Sequence, residues 1–302
     1  MSLTDGIINI YKEKGYTSHD VVAKMRGILK IKKIGHTGTL DPDAEGVLPI
    51  CIGKGTRLVD MITDKDKTYE AICRLGITTD TQDISGKILS RTKTDITPFQ
   101  LQEAIKAYIG EYMQLPPMYS AVKVDGKKLY ELARQGIEVE RERRRVVIHD
   151  IRLEAFHEEE QEFKVVVHCG KGTYIRTLLH DIGESLGCGA CMVHLLRTTV
   201  GSFSVNEALR LSEVEALVRE DKLSDYIVTV EEVFCGYSKI MLMQEYDKLV
   251  HNGNPFLPEQ LKNGQHVKPG EQVRVYDSED RFIGIYVFSS EKGAYKPVKM
   301  FL

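Results

Sequence analysis

Residues 35–53, Gly-His-Thr-Gly-Thr-Leu-Asp-Pro-Asp-Ala-Glu-Gly-Val-Leu-Pro-Ile-Cys-Ile-Gly, restrict the fold more than any other stretch of this 302-residue chain. Gly35, Gly38 and Gly46 open backbone angles closed to residues that carry a Cβ. Pro42 fixes its own φ and pushes Asp41 toward an extended conformation. The pattern predicts a tight loop that presents His36, Thr37 and Asp41 and then runs into an apolar strand over 47–52. Local chemistry leaves two readings. One is a rigid loop holding a carboxylate beside an imidazole for acid–base or nucleophilic work. The other is an ordinary Gly/Pro/Asp surface turn.

Around this loop the pattern alternates between strands and helices. A short apolar strand is expected over 6–11. Thr17, with Asp20 three residues on, opens a helix. Its apolar stripe is Val21, Val22, Met25, Ile28 and Leu29, which turns Lys24 and Arg26 toward solvent. Residues 68–75 alternate as a strand with Tyr69, Ala71, Cys73 and Leu75 on one face, and 76–86 reads as a polar loop. Thr97-Pro98-Phe99-Gln100 combines an N-cap, a first-turn Pro and a capping-box Gln, and predicts a helix stopping at Gly110. Strands over 146–156 and 163–169 should pair. Thr173 is expected to cap a helix with the stripe Ile175, Leu178, Leu179, Ile182 and Leu186, closed by Gly187. Arg176 stands off that stripe. A strand over 192–200 and a helix from Ser212 follow. Beyond Gly236 the pattern changes to a short helix ending near Gly253 and strands around 273–276, 281–288 and 296–301, with Ser278-Glu279-Asp280 as a hairpin turn. The chain therefore reads as an α+β body over 1–236 and a small β-rich domain over 237–302.

Composition narrows the function. Hydrophobic content of 42% and charged content of 28% describe a globular chain. No apolar run reaches 18 residues, which argues against a membrane span, and residues 1–6 lack the features of a signal peptide; a cytoplasmic location is expected. The six cysteines fall mostly inside apolar runs and should be reduced, buried thiols. Cys188 and Cys191 have C-x-x-C spacing but no second pair of zinc ligands. His36, Asp41 and Asp43 would hold a metal only with a ligand from elsewhere. Gly53-Lys54-Gly55-Thr56 fails the Walker spacing. Net charge of −3 gives no global sign of a polyanionic partner. Local basic clusters do exist: Lys24, Arg26, Lys30, Lys32 and Lys33 near the first helix, and Arg141, Arg143, Arg144 and Arg145 further on. They suit a polyanion or a solvated face. The remaining set, one well-placed carboxylate with dispersed aromatic and basic residues, suits chemistry on a base flipped out of a nucleic acid, with no cofactor or metal.

Gly35-His36-Thr37-Gly38-Thr39-Leu40-Asp41-Pro42 resembles the signature of the TruB family of tRNA pseudouridine synthases. In the same order, so do Thr17-Ser18-His19-Asp20-Val21-Val22, Lys67-Thr68-Tyr69, Pro116-Pro117-Met118-Tyr119-Ser120-Ala121 with Lys123, and Gly172-Thr173-Tyr174-Ile175-Arg176. The run from Gly187 through Leu195-Leu196-Arg197 and the closing Lys296-Pro297-Val298-Lys299 are also similar to the family. The resemblance spans essentially the whole chain. It implies a pseudouridine synthase fold, a mixed and largely antiparallel sheet flanked by helices, with a PUA-like RNA-binding domain at the C-terminus.

The activity it implies is isomerisation of uridine 55 in the T arm of tRNA. The N1–C1′ bond is cleaved and the base is rejoined through C5. Asp41 would be the catalyst, and Tyr69 would stack on the uracil. Arg176 would pair with the aspartate and lower its pKa. Leu195 would wall the pocket, His36 would fill space vacated by flipped bases, and Lys12 and Tyr174 would complete the substrate-binding set. Lys24, Arg26, Lys30, Lys32, Lys33, Lys123, Arg141 and Arg144 are the expected RNA-backbone contacts. The partner would be the T stem-loop, with contacts extending to the acceptor end, and the enzyme would act as a monomer without a protein partner. Two departures stand out. Lys12 precedes Glu13 where the family has Lys-Pro, and Asp43 and Glu45 replace uncharged residues after Pro42. Those two acids are expected to point to solvent; facing Asp41 they would raise its pKa. A guide-RNA-dependent synthase, an RNA-folding module and a metal-dependent hydrolase are the rival readings.

Overall fold

Strand Lys67–Leu75 buries every second side chain, with Tyr69, Ala71, Cys73 and Leu75 on its inner face. That alternation places it inside a large sheet in this computed structural model, which describes residues 5–262, 268 and 270–302. The strand order is Ile227–Thr229, Gly6–Lys12, Glu45–Ile52, Ala190–Val200, Lys67–Leu75, Glu162–Cys169, Arg144–His157 and Gly110–Gln114. Ile34–His36 and Phe203–Ser204 pair onto it from the side. Neighbours are antiparallel except at one step. There Ala190–Val200 runs parallel to Glu45–Ile52, with Leu196 opposite Glu45 and Arg197 opposite Gly46. The sheet is mixed, largely antiparallel and flanked by helices, as the sequence implied.

Local signals explain several helices. In Ser18–Leu29 the Thr17 hydroxyl accepts from Asp20 N–H at 3.1 Å, and the Asp20 carboxylate accepts from Thr17 N–H at 2.8 Å. Thr97 and Gln100 repeat that reciprocal cap on Pro98–Lys106. This second helix ends at Lys106, short of the expected Gly110. Gly110, at φ +106°, instead opens the edge strand. Thr173 is not the cap of Ile175–Ser185. Its hydroxyl donates to the Gly170 carbonyl at 3.0 Å, and the buried Gln114 side chain takes both the N–H and the C=O of Tyr174, at 2.8 and 2.9 Å. Leu211–Arg219 begins just before the expected Ser212, with Arg210 N–H donating to the Glu213 carboxylate. The segment read as a polar loop contains Ile77–Thr79, paired with Ile88–Arg91 in a small hairpin.

Both faces of the large sheet are covered. Helix Ile175–Ser185 packs Ile175, Leu178, Leu179 and Ile182 against Tyr69, Ala71, Cys73, Val165 and Val167. Helices Ser18–Leu29 and Leu211–Arg219 cover Ile8, Ile10, Leu48 and Ile50. Residues beyond 237 form a second sheet in the order Ser238–Met241, Gln272–Tyr276, Phe282–Ser289, Ala294–Met300. Its first strand, parallel to the second, was not legible in the sequence. Ile285 and Phe301 of this sheet share one buried cluster with Ile7, Val47, Cys51, Leu58 and Phe234 of the body. Five cysteines are buried thiols and Cys235 is exposed. Among the described residues no helix is long and apolar enough to cross a membrane.

Candidate active site

The parallel step of the sheet assembles the site. Glu45–Ile52 follows the Asp41 loop, Ala190–Val200 carries Leu195 and Arg197, and Lys67–Leu75 carries Tyr69. Leu40, Tyr69, Ile175 and Leu195 lie together in one buried cluster, and Asp41 follows Leu40 in the chain and is close enough to Tyr69 to raise the pKa of its hydroxyl. Helix Ile175–Ser185 brings Arg176 in from its first turn.

Arg176 is 4% exposed, and its guanidinium is surrounded by acceptors. Nε is ion-paired with Asp41 Oδ2 at 2.9 Å, and Nη2 donates to Asp41 Oδ1 at 3.1 Å and the Tyr119 carbonyl at 2.8 Å. Nη1 donates to the Thr81 carbonyl at 2.8 Å and lies 3.4 Å from Asp83 Oδ2. The bidentate clamp fixes the plane of the Asp41 carboxylate, while 38% of the Asp41 side chain remains open to solvent. A carboxylate held from behind and open in front is placed to meet a ligand.

Arg176 pulls the Asp41 pKa down as expected, but the net shift is upward. Burial at the foot of the cleft is the larger effect and pushes the Asp41 carboxyl up from its ordinary value, against the pull of Arg176. The second acid is also not one the sequence suggested. Asp83, held by the Thr81 hydroxyl at 2.8 Å and Ser85 N–H at 3.0 Å, adds to the upward push. Asp43 is exposed, and Glu45 turns away to His194 and the Tyr11 hydroxyl, each at 3.2 Å.

Lys12 lies under the loop. It is 0% exposed, and its ammonium donates to the carbonyls of Pro42 at 3.0 Å, Ala44 at 2.6 Å and Glu13 at 3.3 Å. It props the Asp41 loop from below and does not face the cleft, and burial pushes it down to about 8. Tyr69 is buried, with its hydroxyl bonded to the Arg197 guanidinium. Arg197 Nε also donates to the Val47 carbonyl at 2.7 Å and Nη2 to the Gly38 carbonyl at 3.4 Å. His36 is half-buried and meets His19 edge to face, 5.3 Å between ring centroids. Its Nδ1 has no partner among the described residues, and burial lowers its pKa. Tyr174 sits at the head of the Arg176 helix.

Of the basic residues, Lys24, Arg26, Lys30, Lys32, Lys33, Lys123 and Arg144 are exposed. Arg141 is mostly buried and donates to the Pro116 carbonyl at 3.0 Å, so it braces the loop before it. Among the described residues, His36, Asp41 and Asp43 do not gather as metal ligands, and neither do Cys188, Cys191 and His194. The residues missed in the sequence are Asp83, Arg197 and Gln114. Arg197 carried a signal, being a cation two places from Leu195 in an apolar strand. Asp83 carried none that separates it from Asp80 in the same polar run.

Residues 26–175 match the TruB family pseudouridylate synthase N-terminal domain, and residues 176–234 match the tRNA pseudouridylate synthase B C-terminal domain. The chain is 50% identical to a tRNA pseudouridine synthase B of Lachnoclostridium phytofermentans, covering 99% of this chain and 100% of that one. It is 40% identical to the tRNA pseudouridine synthase B of Bacillus subtilis, covering 99% and 98%. Among solved structures it is similar to a chain of a Cbf5-Nop10-Gar1 complex, with TM-score 0.74, 26% identity and coverage of 99% and 85%. A chain of an H/ACA RNP bound to a substrate RNA containing 2′-deoxyuridine shares the fold at TM-score 0.72, 24% identity and coverage of 99% and 86%. The fold is that of the pseudouridine synthases, and the chain belongs to their TruB family. It is an enzyme that isomerises uridine to pseudouridine in tRNA.

Proposed function

We propose that the uridine isomerised is the one at position 55 in the T arm, and that Asp41 is the catalyst. The observation that carries this reading is the Asp41–Arg176 clamp, which leaves one face of a fixed carboxylate open beside Tyr69 and Leu195. A uridine inside a folded arm must leave its stack to reach a recessed carboxylate, and an aromatic ring and an aliphatic wall would receive the flipped base. Asp41 then acts as nucleophile or base while N1–C1′ breaks, the uracil turns, and C5–C1′ forms with loss of the C5 proton and protonation of N1. Arg176 orients the carboxylate, Tyr69 stacks, Leu195 walls the pocket, His36 and Tyr174 border it, and Lys12 positions the loop.

Lys24, Arg26, Lys30, Lys32, Lys33, Lys123 and Arg144 contact the phosphate backbone, and residues 237–302 act as a PUA-like module toward the acceptor end. The enzyme works in the cytoplasm as a monomer without a protein partner, and its chemistry uses no metal or cofactor.

The test is tritium release from tRNA transcripts labelled at C5 of uridine. Wild type should release about one equivalent per tRNA, and none from a transcript with cytidine at position 55. Asp41→Asn should bind tRNA without release. No release from tRNA by wild type alone would overturn a stand-alone synthase and favour a guide-RNA partner, which the H/ACA relatives make the natural second reading.

A further inference from the structure

Three side chains distant in sequence meet on the outer face of the large sheet. Asp66 lies in the turn before Lys67–Leu75, His149 in Arg144–His157, and His168 in Glu162–Cys169; one donor atom from each lies within 4.8 Å of the other two. This face is opposite the active site. Across one strand pair Tyr69 matches Val167 and points inward, while the next pair, Thr68 and His168, points outward.

The scaffold under these side chains is fixed by backbone bonding. The Asp66 carbonyl accepts from Gly201 N–H at 2.9 Å, and His168 is paired to Thr68 on one side and Asp150 on the other. A register shift between Ile148 and Asp150 leaves His149 and Asp150 exposed in succession. Regular alternation from the buried Ile148 turns the His149 imidazole onto the face of His168, and the bulge keeps it there while Asp150 takes the place opposite His168. His149 Nε2 then lies 3.2 Å from Asp66 Oδ1, and the two imidazole rings stand 4.7 Å apart at 42°. Ligand atoms around a tetrahedral zinc ion with bonds of about 2.1 Å are about 3.4 Å apart. One edge of the triangle already has that length. The others close by rotation of exposed side chains, with His149 37% and Asp66 52% open to solvent.

We propose that Asp66, His149 and His168 form a binding site for a divalent transition-metal ion, zinc foremost. Two imidazoles and a carboxylate are donors that zinc accepts, with a fourth position left to water. Hard ions that prefer an all-oxygen shell are disfavoured. An ion pair would need only His149 and Asp66; the second imidazole completes a ligand set. The bound ion is a clasp. It ties the strands of His149 and His168 to the turn that starts the Tyr69 strand, and it takes no part in the isomerisation.

The test uses full-length protein, stripped by chelator and titrated with zinc against a chromophoric indicator, beside the double variant His149→Ala/His168→Ala. Wild type should take up one equivalent at least tenfold more tightly than the variant. Its Tm should rise by roughly 5 °C at a hundredfold excess of zinc over Kd, a rise absent from the variant and absent with magnesium. The replaced side chains are exposed, so the variant folds, and a tRNA isomerisation rate within twofold of wild type checks that. An equivalent that survives in the double variant places zinc elsewhere and overturns the proposal. So does the absence of saturable uptake by wild type.

Discussion

Gly46 and Arg197 face each other so closely across the parallel step that a Cβ on Gly46 would lie 2.2 Å from the Arg197 carbonyl oxygen. Gly46 also has φ +105°, a conformation in which residues with a side chain are strained. The strand after the Asp41 loop and the strand of Leu195 are seated against one another at this contact. Gly46→Ala should destabilise the fold by about 3 kcal/mol or more, since the obstacle is backbone that cannot swing aside. Denaturant unfolding measures it; a loss below about 1 kcal/mol would mean that the step relaxes freely.

Arg176→Lys should fold and bind tRNA but turn over at least ~10²-fold more slowly. A lysine has three donors on one atom for acceptors arranged around a planar fork. The acid limb of the rate profile discriminates this from simple misfolding. In wild type burial raises the Asp41 carboxyl, so activity needing the ionised acid should fall with decreasing pH before the ordinary value of about 4 is reached. With the clamp weakened, that limb should move to still higher pH.

Asp83→Asn should move the same limb the other way. Asp83 disfavours the second negative charge at Asp41, and an amide removes that repulsion while keeping an oxygen for Thr81 and Ser85. Single-turnover rates across pH read the shift. Because the Nη1 side of the guanidinium loses its charged partner, the plateau rate should also drop, by ~10²-fold if the carboxylate is misplaced by about 1 Å. An unmoved limb would show that Asp83 only shapes its own turn.

Lys12 gives the alkaline limb a cause. Its ammonium, at about 8, loses a proton as pH rises, and a neutral amine has two N–H groups for the three carbonyls of Pro42, Ala44 and Glu13. Turnover should decline above about pH 8. Linkage has the opposite sign: the unfolded chain, with an ordinary lysine near 10.4, binds more protons between about 8 and 10.4, so this residue adds stability as pH rises through that window. Rate and Tm should therefore diverge in wild type and cease to diverge in Lys12→Met.

What could be read from the chain was local. Thr17 with Asp20 and Thr97 with Gln100 sit within one turn of each other, and their capping boxes formed as read. The alternation in 68–75 marked its buried face correctly. Arg176 stood out as a cation off the apolar stripe, and its pairing with Asp41 was legible only through the family resemblance. Misreadings arose where a distant residue won. Gln114, 60 positions away, took the cap expected of Thr173. Asp83 reaches Arg176 through a hairpin whose polar sequence gives no period, and the bulge at His149 is a feature of strand pairing rather than of composition. Lys12 was read as part of the substrate-binding set because nothing near it in sequence announces that the Pro42 and Ala44 carbonyls, 30 and 32 positions on, take its ammonium.

Ile285 and Phe301 sit in the same buried cluster as Ile7, Val47 and Phe234, and Arg57 donates to the Met300 carbonyl at 2.8 Å. The two sheets are therefore mortised together and are not beads on a string. A chain cut at Gly236 would present a raw apolar scar on the back of the strands that seat the catalytic loop. The last sixty-odd residues are thus part of the chassis beneath the Asp41 loop, since Val47 of the strand that follows the loop is one of the residues they cover.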